Sequence, residues 1–561
     1  NMNVIDSCLS LDHKSVELWD LVGTRDWSSD YVDGDVLNGF EHERTVPLPE
    51  ALLDTYRQCE CAMFTGLLPE INRAWISVDD RLFLWNYEDG RDFCVYDGVD
   101  QVIVSVGLVR AKPQLFVDDV KYLLLVATPV EVVVLAVSFG QNLINGELTL
   151  HPTELSVPSD NVHMLCMAGT ADGRAFMGGS DGNLYELDYA ADNSWLAHRP
   201  LKCQKVNRSA TVLGTLVPTF LKYLLTQGED PLKQIVVDDT RGVLYTLSER
   251  SRIECRKVSG GIAELMPNTS GESSSRTSSA PLVAALDAHQ WQRQASALCP
   301  RVSDADLQLT SIHAVPVDAS GHVCLIAMSA RGTRLFFTTH KVESWSAAEH
   351  GALAPPKTLR LIHVRLPPSA PMDAGEPRAG NGVTPACSDV RHSAQPLTRG
   401  ADADSLVLVG DVWGATGAGV NHDNTSSENA TFRECVEVVP LDARVLSLSM
   451  AAAPPLADPY LASSQARRSS LAPLVLSDVP TGVPLGSSLS RHSNATAHIA
   501  PPQRMLCLSG GGLVVLRRRT PLAALATLLQ RAAANGVQSR DLAQFFALHG
   551  AVETAAMCVA L

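Results

Sequence analysis

Apolar residues in this chain recur mostly at alternate positions, in short runs broken by tight polar turns. The clearest runs are AWISVDDRLFLWNY, RAFMGGSDGNLYELDY, KQIVVDDTRGVLYTLSE, VCLIAMSARGTRLFFTT and QRMLCLSGGGLVVLRR. Their turns centre on Asp79-Asp80, Asp181-Gly182, Arg241-Gly242, Arg331-Gly332 and Gly511-Gly512. Leu184, Glu186 and Asp188 alternate with Tyr185, Leu187 and Tyr189, the period of two that marks a strand. Glycine supplies positive φ in such turns at no steric cost, so each run predicts a β-hairpin. Hairpins repeated at wide intervals, with few helical patterns before the end, predict a mainly β protein built as a propeller. Each blade needs neighbours to bury its faces, and irregular spacing is absorbed by loops between strands. A β-sandwich is the alternative, but it needs fewer such units.

The longest apolar stretch, VKYLLLVATPVEVVVLAVSF from Val120 to Phe139, is about long enough to cross a bilayer. Pro129 and Glu131 interrupt it, and a central carboxylate is costly in lipid. Its valine content predicts instead two buried strands, Tyr122–Ala127 and Val132–Phe139, joined at Thr128–Glu131. The pattern changes after Arg519. Thr520 is a good N-cap, Pro521 suits the first helical position, and LAALATLLQRAAA has helical composition. Gly536 can end that helix, Ser539 can cap a second containing Leu542, Phe545, Phe546 and His549, and AVETAAMCVAL begins a third. These helices predict the start of an α-helical solenoid that continues past Leu561. Asn268–Pro281, Ser369–Asp389, Gly414–Thr431 and Ala451–Pro502 are small, polar or rich in Gly and Pro, and are expected not to order themselves.

Composition narrows the function. Hydrophobic residues make up 45% of the 561, enough for a large core. Lys plus Arg minus Asp plus Glu is 45 − 61 = −16, which argues against a general nucleic-acid surface. The 13 cysteines form no spaced framework, as suits a reducing compartment; Cys59 and Cys61 are the one close pair. GGSDG at Gly178–Gly182 matches G-x-S-x-G, but a nucleophile elbow needs a following helix, and NLYELDY is a strand. Ser180 therefore reads as a hairpin residue. SGGGL at Ser509–Leu513 lacks the Gly-Lys-Ser/Thr of a phosphate loop and also leads into strand. Asp79-Asp80 and Asp238-Asp239 are paired carboxylates at turns, where Asp is a common turn former. No catalytic, cofactor or metal site is expected.

One stretch has a different character. In TVLGTLVPTFLKYLL, Leu213, Leu216, Val217, Phe220, Leu221 and Leu224 fall at i, i+3, i+4, i+7, i+8 and i+11, one face of a helix. Thr211, Gly214, Thr215, Thr219 and Lys222 occupy the opposite face, with Lys202, Lys205 and Arg208 upstream. Such a segment suits a lipid interface, Lys222 and the upstream bases facing headgroups. Pro218 is the objection, and packing on the propeller is the plainer alternative.

Ala74–Gly90, the Val120–Phe139 run, Asp230–Glu249, Leu359–Pro368 and FFALHGAVETAAMC at Phe545–Cys558 together resemble the large inner-ring scaffold nucleoporins, the 155-kDa nucleoporin family. The similarity runs in order from about Pro47 to Leu561, interrupted by the low-complexity segments. WNYEDG is its most specific part; L-V-A-T-P-V-E-V-V departs slightly from the family pattern, and the long insertions depart more. The resemblance implies a seven-bladed β-propeller followed by an α-solenoid. The division expected is an extension at 1–49, a propeller at 50–518 and helices at 519–561. It implies a structural, non-enzymatic role in the inner ring of the nuclear pore complex, at the nuclear envelope. Expected partners are other inner-ring and linker nucleoporins, pore-membrane proteins and the lipid surface, with no nucleic acid or small-molecule substrate. The family's membrane-binding propeller loop matches Leu213–Leu225, with T-L-V-P-T-F-L preserving its spacing. A propeller–solenoid vesicle-coat subunit shares the architecture, and a hydrolase using Ser180 is the remaining rival.

Overall fold

A computed structural model describes residues 31–33, 39–57, 59–142, 144–191, 201–209, 230–258, 280–303, 307–317, 320–340, 356–368, 376–377, 386–389, 392–399, 403–411, 434–452, 503–535, 540–549 and 551–561. Their strands form seven sheets, arranged as the blades of a propeller. Blades one to five each use four consecutive antiparallel strands. Blade three, for example, runs Met164–Gly169, Ala175–Gly179, Leu184–Ala191 and Leu201–Asn207 from the inside out. All five expected turns join paired strands, and Asp79, Gly182, Gly242, Gly332 and Gly512 there have positive φ. The Val120–Phe139 run is two paired strands, Tyr122–Ala127 and Glu131–Phe139. Thr128 shapes the turn: its hydroxyl accepts the N–H of Glu131 at 3.1 Å and donates to that residue's carbonyl at 3.0 Å. Among the described residues no helix is long and apolar enough to cross a membrane.

The core lies between blades. Tyr245, Leu247 and Ile253 of blade four pack with Ile312, Leu325 and Phe337 of blade five, all fully buried. Burying each such side chain contributes about 1.5–3 kcal/mol, so the ring holds together through its seams. The inner strands approach closely: a Cβ on Gly107 of blade two would lie 2.5 Å from the Met167 Cβ of blade three.

Two features depart from expectation. Phe40–Val46, within the segment expected as an extension, is the outer strand of blade seven, paired with Gly512–Arg518. The first and last strands of the ring thus close it through one sheet. Tyr31–Asp33 adds a parallel strand to the outer edge of blade six. Ion pairs border the closing strand: Arg504 binds Glu43 at 2.6 Å and Glu88 at 2.8 Å, and Arg519 binds Glu41 at 2.9 Å. Partly exposed pairs contribute under about 1 kcal/mol each, so the ladder and the buried ends Phe40 and Val46 do most of the closing. Second, Glu376–Pro377 and Ala386–Asp389, inside the Gly/Pro-rich Ser369–Asp389, pair with His392–Thr398 as the inner strands of blade six. A partner strand supplies the hydrogen bonds and cover that their own composition lacks. Blade six continues through Asp404–Asp411 and Glu434–Pro440, and blade seven starts at Val445–Ala452.

Three helices follow: α1 Pro521–Asn535, α2 Arg540–His549 and α3 Ala551–Ala560. Thr520 caps α1, its hydroxyl accepting the Ala523 N–H at 3.2 Å. Leu525, Leu528, Phe545 and Met557 form a small core that reaches Cys435 of blade six. That core docks the helices on the propeller.

Candidate functional site

The predicted membrane-binding residues Leu213, Leu216, Val217, Phe220, Leu221, Lys222 and Leu224 lie outside the described residues. The two feet of their segment are described. It leaves the outer strand of blade three after Asn207 and rejoins the inner strand of blade four at Leu232. Both feet meet one hairpin turn, that of Asp181-Gly182. On the outgoing side the Leu184 N–H donates to the Ser209 hydroxyl at 2.8 Å, and the Arg208 N–H donates to the Leu184 carbonyl at 2.8 Å. On the returning side a Cβ on Gly182, at φ +80°, would sit 2.7 Å from the Asp230 carbonyl oxygen. Only glycine suits that approach. The Asp230 carboxylate in turn accepts the Arg250 N–H of blade four at 2.9 Å.

A buried ionic cluster sets the outgoing foot. Glu186, 1% exposed, accepts two hydrogen bonds from Arg174, both 2.8 Å, and a third from Arg208 Nε at 2.7 Å. Across the seam, Arg256 donates to the Arg208 carbonyl at 3.1 Å and to the Ser209 hydroxyl at 3.3 Å, while Glu254 holds the same guanidinium at 2.8 Å. Lys205 is equally occupied: its ammonium bonds the carbonyls of Pro158 at 2.9 Å and Ser159 at 2.7 Å and the Asp160 carboxylate at 2.7 Å. Lys205 and Arg208, expected to face headgroups, are thus structural clamps, because carboxylates and carbonyls of the propeller itself capture them first. Sequence reasoning missed Glu186, Arg174 and Arg256. A Glu flanked by Tyr185 and Leu187 in a strand was the available signal, but it does not name its partners.

The remaining candidates sit in turns. Ser180 lies in the hairpin, where its hydroxyl accepts the His163 N–H at 3.1 Å, and strand Leu184–Ala191 follows. Asp79 organises the Cys59–Ala62 turn: its carboxylate accepts the N–H groups of Glu60, Cys61 and Ala62 at 2.8–3.0 Å, which hold its pKa below the usual carboxylate value. Cys59 and Cys61 are exposed thiols, and the Cys59 pKa is raised, by desolvation and by the Asp79 charge. Asp238 pairs with Arg241 at 2.6 Å; burial, with Asp172 and Asp238 nearby, raises the pKa of Asp239. Among the described residues no group of three or more His, Cys, Asp or Glu could hold a metal ion.

A ring closed by the strand Phe40–Val46, with helices docked on its sixth blade, defines a β-propeller followed by helices. The nucleoporin N-terminal family described as Nup133 N terminal like matches residues 37–386, and the chain belongs to it. Nup154 of Drosophila melanogaster is 34% identical over 370 residues, covering 61% of this chain and 25% of that protein. A probable nucleoporin of Schizosaccharomyces pombe is 32% identical over 372 residues, covering 65% and 26%. The chain therefore spans about a quarter of the length of these relatives. The solved N-terminal domain of Chaetomium thermophilum Nup170, in complex with Nup53, has the same fold: TM-score 0.72 at 22% identity, over 100% of this chain and 73% of that one. The relatives are nucleoporins, and the chain belongs at the nuclear pore, in the nuclear envelope.

Proposed function

We propose that this chain is the propeller portion of a structural inner-ring scaffold nucleoporin, and that Thr211–Leu225 anchors it to the pore membrane. The observation that carries the reading is the double clamp. A segment with an apolar stripe leaves and returns beside one hairpin turn, tied at both feet to a rigid seam between blades. Such a mount fixes the two ends of the segment; in this reading Leu213, Leu216, Val217, Phe220, Leu221 and Leu224 insert and Lys222 meets headgroups. Each fully buried side chain contributes about 1.5–3 kcal/mol, so one short segment binds weakly and repeated copies in a ring bind firmly. We take the propeller to end at residue 518, with α1–α3 as the first turns of a solenoid reaching into the scaffold. The solved relative was crystallised with Nup53, which favours linker nucleoporins as partners of this propeller too. Neighbouring inner-ring nucleoporins and pore-membrane proteins complete the expected partners in supporting nucleocytoplasmic transport. The role is not enzymatic in this reading: Ser180 is held in a hairpin rather than on an elbow.

Liposome flotation tests the anchor. The intact protein is expected to float with small, highly curved liposomes in preference to large ones. A folded Leu216→Asp, Phe220→Asp variant is expected to remain at the bottom of the gradient. Equal flotation of the two would assign Thr211–Leu225 to propeller packing or to a protein-binding face.

A further inference from the structure

The ring closes and the helices begin at one junction. Two residues, Arg519 and Thr520, join the end of strand Gly512–Arg518 to Pro521, the first residue of α1. Both are keyed. The Arg519 N–H donates to the Gly39 carbonyl at 2.9 Å, and its Nε donates to Glu41 Oε2 at 2.9 Å. Thr520 caps α1, and its carbonyl accepts the Ala524 N–H at 3.0 Å, closing the first helical turn. Glu41 Oε1 accepts Arg517 Nε at 2.7 Å, from the residue opposite it in the ladder. One carboxylate therefore holds the last strand of the ring with one oxygen and the leader of α1 with the other. Beside it, the Phe40 N–H donates to Glu437 of blade six at 3.1 Å. Phe40 also shares a buried cluster with Leu406 and Leu408 of blade six and Met505 and Leu516 of blade seven. Blade six, blade seven and the leader of α1 thus meet at Gly39–Glu41.

We propose that Glu41 is a positioning residue: through Arg519 it fixes the direction in which α1 leaves the propeller, so that ring closure and helix orientation are one unit. The use of such a mount in a scaffold rests on the function proposed above; the coupling itself does not. A short link has few free dihedrals, and hydrogen bonds to both of its residues remove most of what remains. The apolar core of α1–α3 at Cys435 holds the helices against blade six, but apolar burial is non-directional and sets no angle. Charge-assisted hydrogen bonds have a fixed geometry. Burial alone would raise the Glu41 carboxyl pKa, but Arg517 and Arg519 hold it below its ordinary 4.5, so the node is charged at neutral pH. Glu43 gives the contrast. It lies two positions along the same strand, and its carboxylate binds Arg504 of blade seven at 2.9 and 2.6 Å rather than the helix leader.

Hydrogen exchange of the intact chain, read by mass spectrometry, tests the coupling in Glu41→Ala and Glu43→Ala. Spin labels on Cys558 of α3 and on Arg57→Cys, at the end of helix Glu50–Tyr56, report the helix direction. For labelling, Cys8, Cys387 and, among the described residues, the exposed Cys59 and Cys61 are changed to Ser. Glu41→Ala is expected to raise exchange about two- to tenfold in both Phe40–Val46 and Pro521–Asn535, and to broaden the label-to-label distance distribution. Glu41→Gln, which keeps the volume and one acceptor oxygen, should show the same pattern at smaller amplitude. Glu43→Ala should raise exchange in Phe40–Val46 alone and leave the distances unchanged. Faster exchange confined to Phe40–Val46 in the Glu41 variants, with unchanged distances, overturns the proposal and leaves the helices to the Cys435 core. So does a Glu43→Ala variant that moves the helices as far as Glu41→Ala, which would mean a general loosening of the closing strand. No change in either Glu41 variant overturns it as well. Liposome flotation bears on the anchor alone, so the two proposals can fail separately.

Discussion

Glu434→Ala is expected to destabilise the protein by about 3–5 kcal/mol, the range for a buried ion pair stripped of one partner. Glu434 opens the outer strand of blade six and is 0% exposed. It receives Arg334 of blade five through two hydrogen bonds of 2.7 and 2.6 Å, and Arg365 of the same blade through a third. Its removal leaves two guanidinium groups, 2% and 1% exposed, without their shared carboxylate. Replacing all three residues with apolar side chains of similar volume is expected to recover most of the loss, since the pair's desolvation cost then disappears as well. Urea unfolding of the single and triple variants measures both. The pH dependence has a definite sign. Burial alone would raise the carboxyl pKa, but Arg334 and Arg365 together hold it below its ordinary 4.5. The pair's contribution is therefore fully present above about pH 4.5 and is lost as pH falls through the lower folded-state value. The stability difference between wild type and Glu434→Gln should narrow over that acid range.

Glu186→Ala is expected to cost a comparable amount, about 3–5 kcal/mol, because Arg174 then lies buried without a counter-charge. Here the larger interest is positional. In a Glu186→Leu, Arg174→Met variant the two most deeply buried charges are gone and most of the stability should return. Arg208, however, has lost the carboxylate that fixes the outgoing foot of Thr211–Leu225. Urea unfolding and liposome flotation should therefore separate: near wild-type stability with reduced flotation. Restored stability with full flotation would show that the remaining contacts, Leu184 to Ser209 and Arg256 to Arg208, suffice to hold the foot.

The contrast between these clamps and the hairpins shows what a sequence makes legible. The hairpins were readable because each carries its signal locally, a period-two run on either side of a turn with a positive φ. The closing strand Phe40–Val46 was not, because only its end residues are buried and the positions between them are polar or half-exposed. Its identity as a strand comes from Gly512–Arg518, more than 460 positions further along the chain. The inner strands of blade six are two and four residues long and sit among Gly and Pro, so composition hid them. The apolar stripe at Leu213–Leu224 was legible as a pattern. What holds it was not, because Arg174 and Glu186 stand 12 positions apart, Arg208 and Arg256 stand 48 apart, and only folding brings them to one seam. The same distance effect made Lys205 and Arg208 look like headgroup ligands. A basic residue beside an apolar stripe reads as a lipid contact until the carbonyls and carboxylates around it are known.

The most direct test of the anchor is the environment of position 220 on a membrane. A polarity-sensitive fluorophore would be attached at Phe220→Cys, with Cys8, Cys387 and, among the described residues, the exposed Cys59, Cys61 and Cys558 changed to Ser. Adding small liposomes is expected to shift its emission to the blue, and lipids carrying a quencher in their acyl chains should quench it. The same label at the exposed Arg57→Cys, which takes no part in the clamp, should show neither change. A label at 220 that stays water-like while the protein floats would contradict the account and place the membrane contact elsewhere on the propeller.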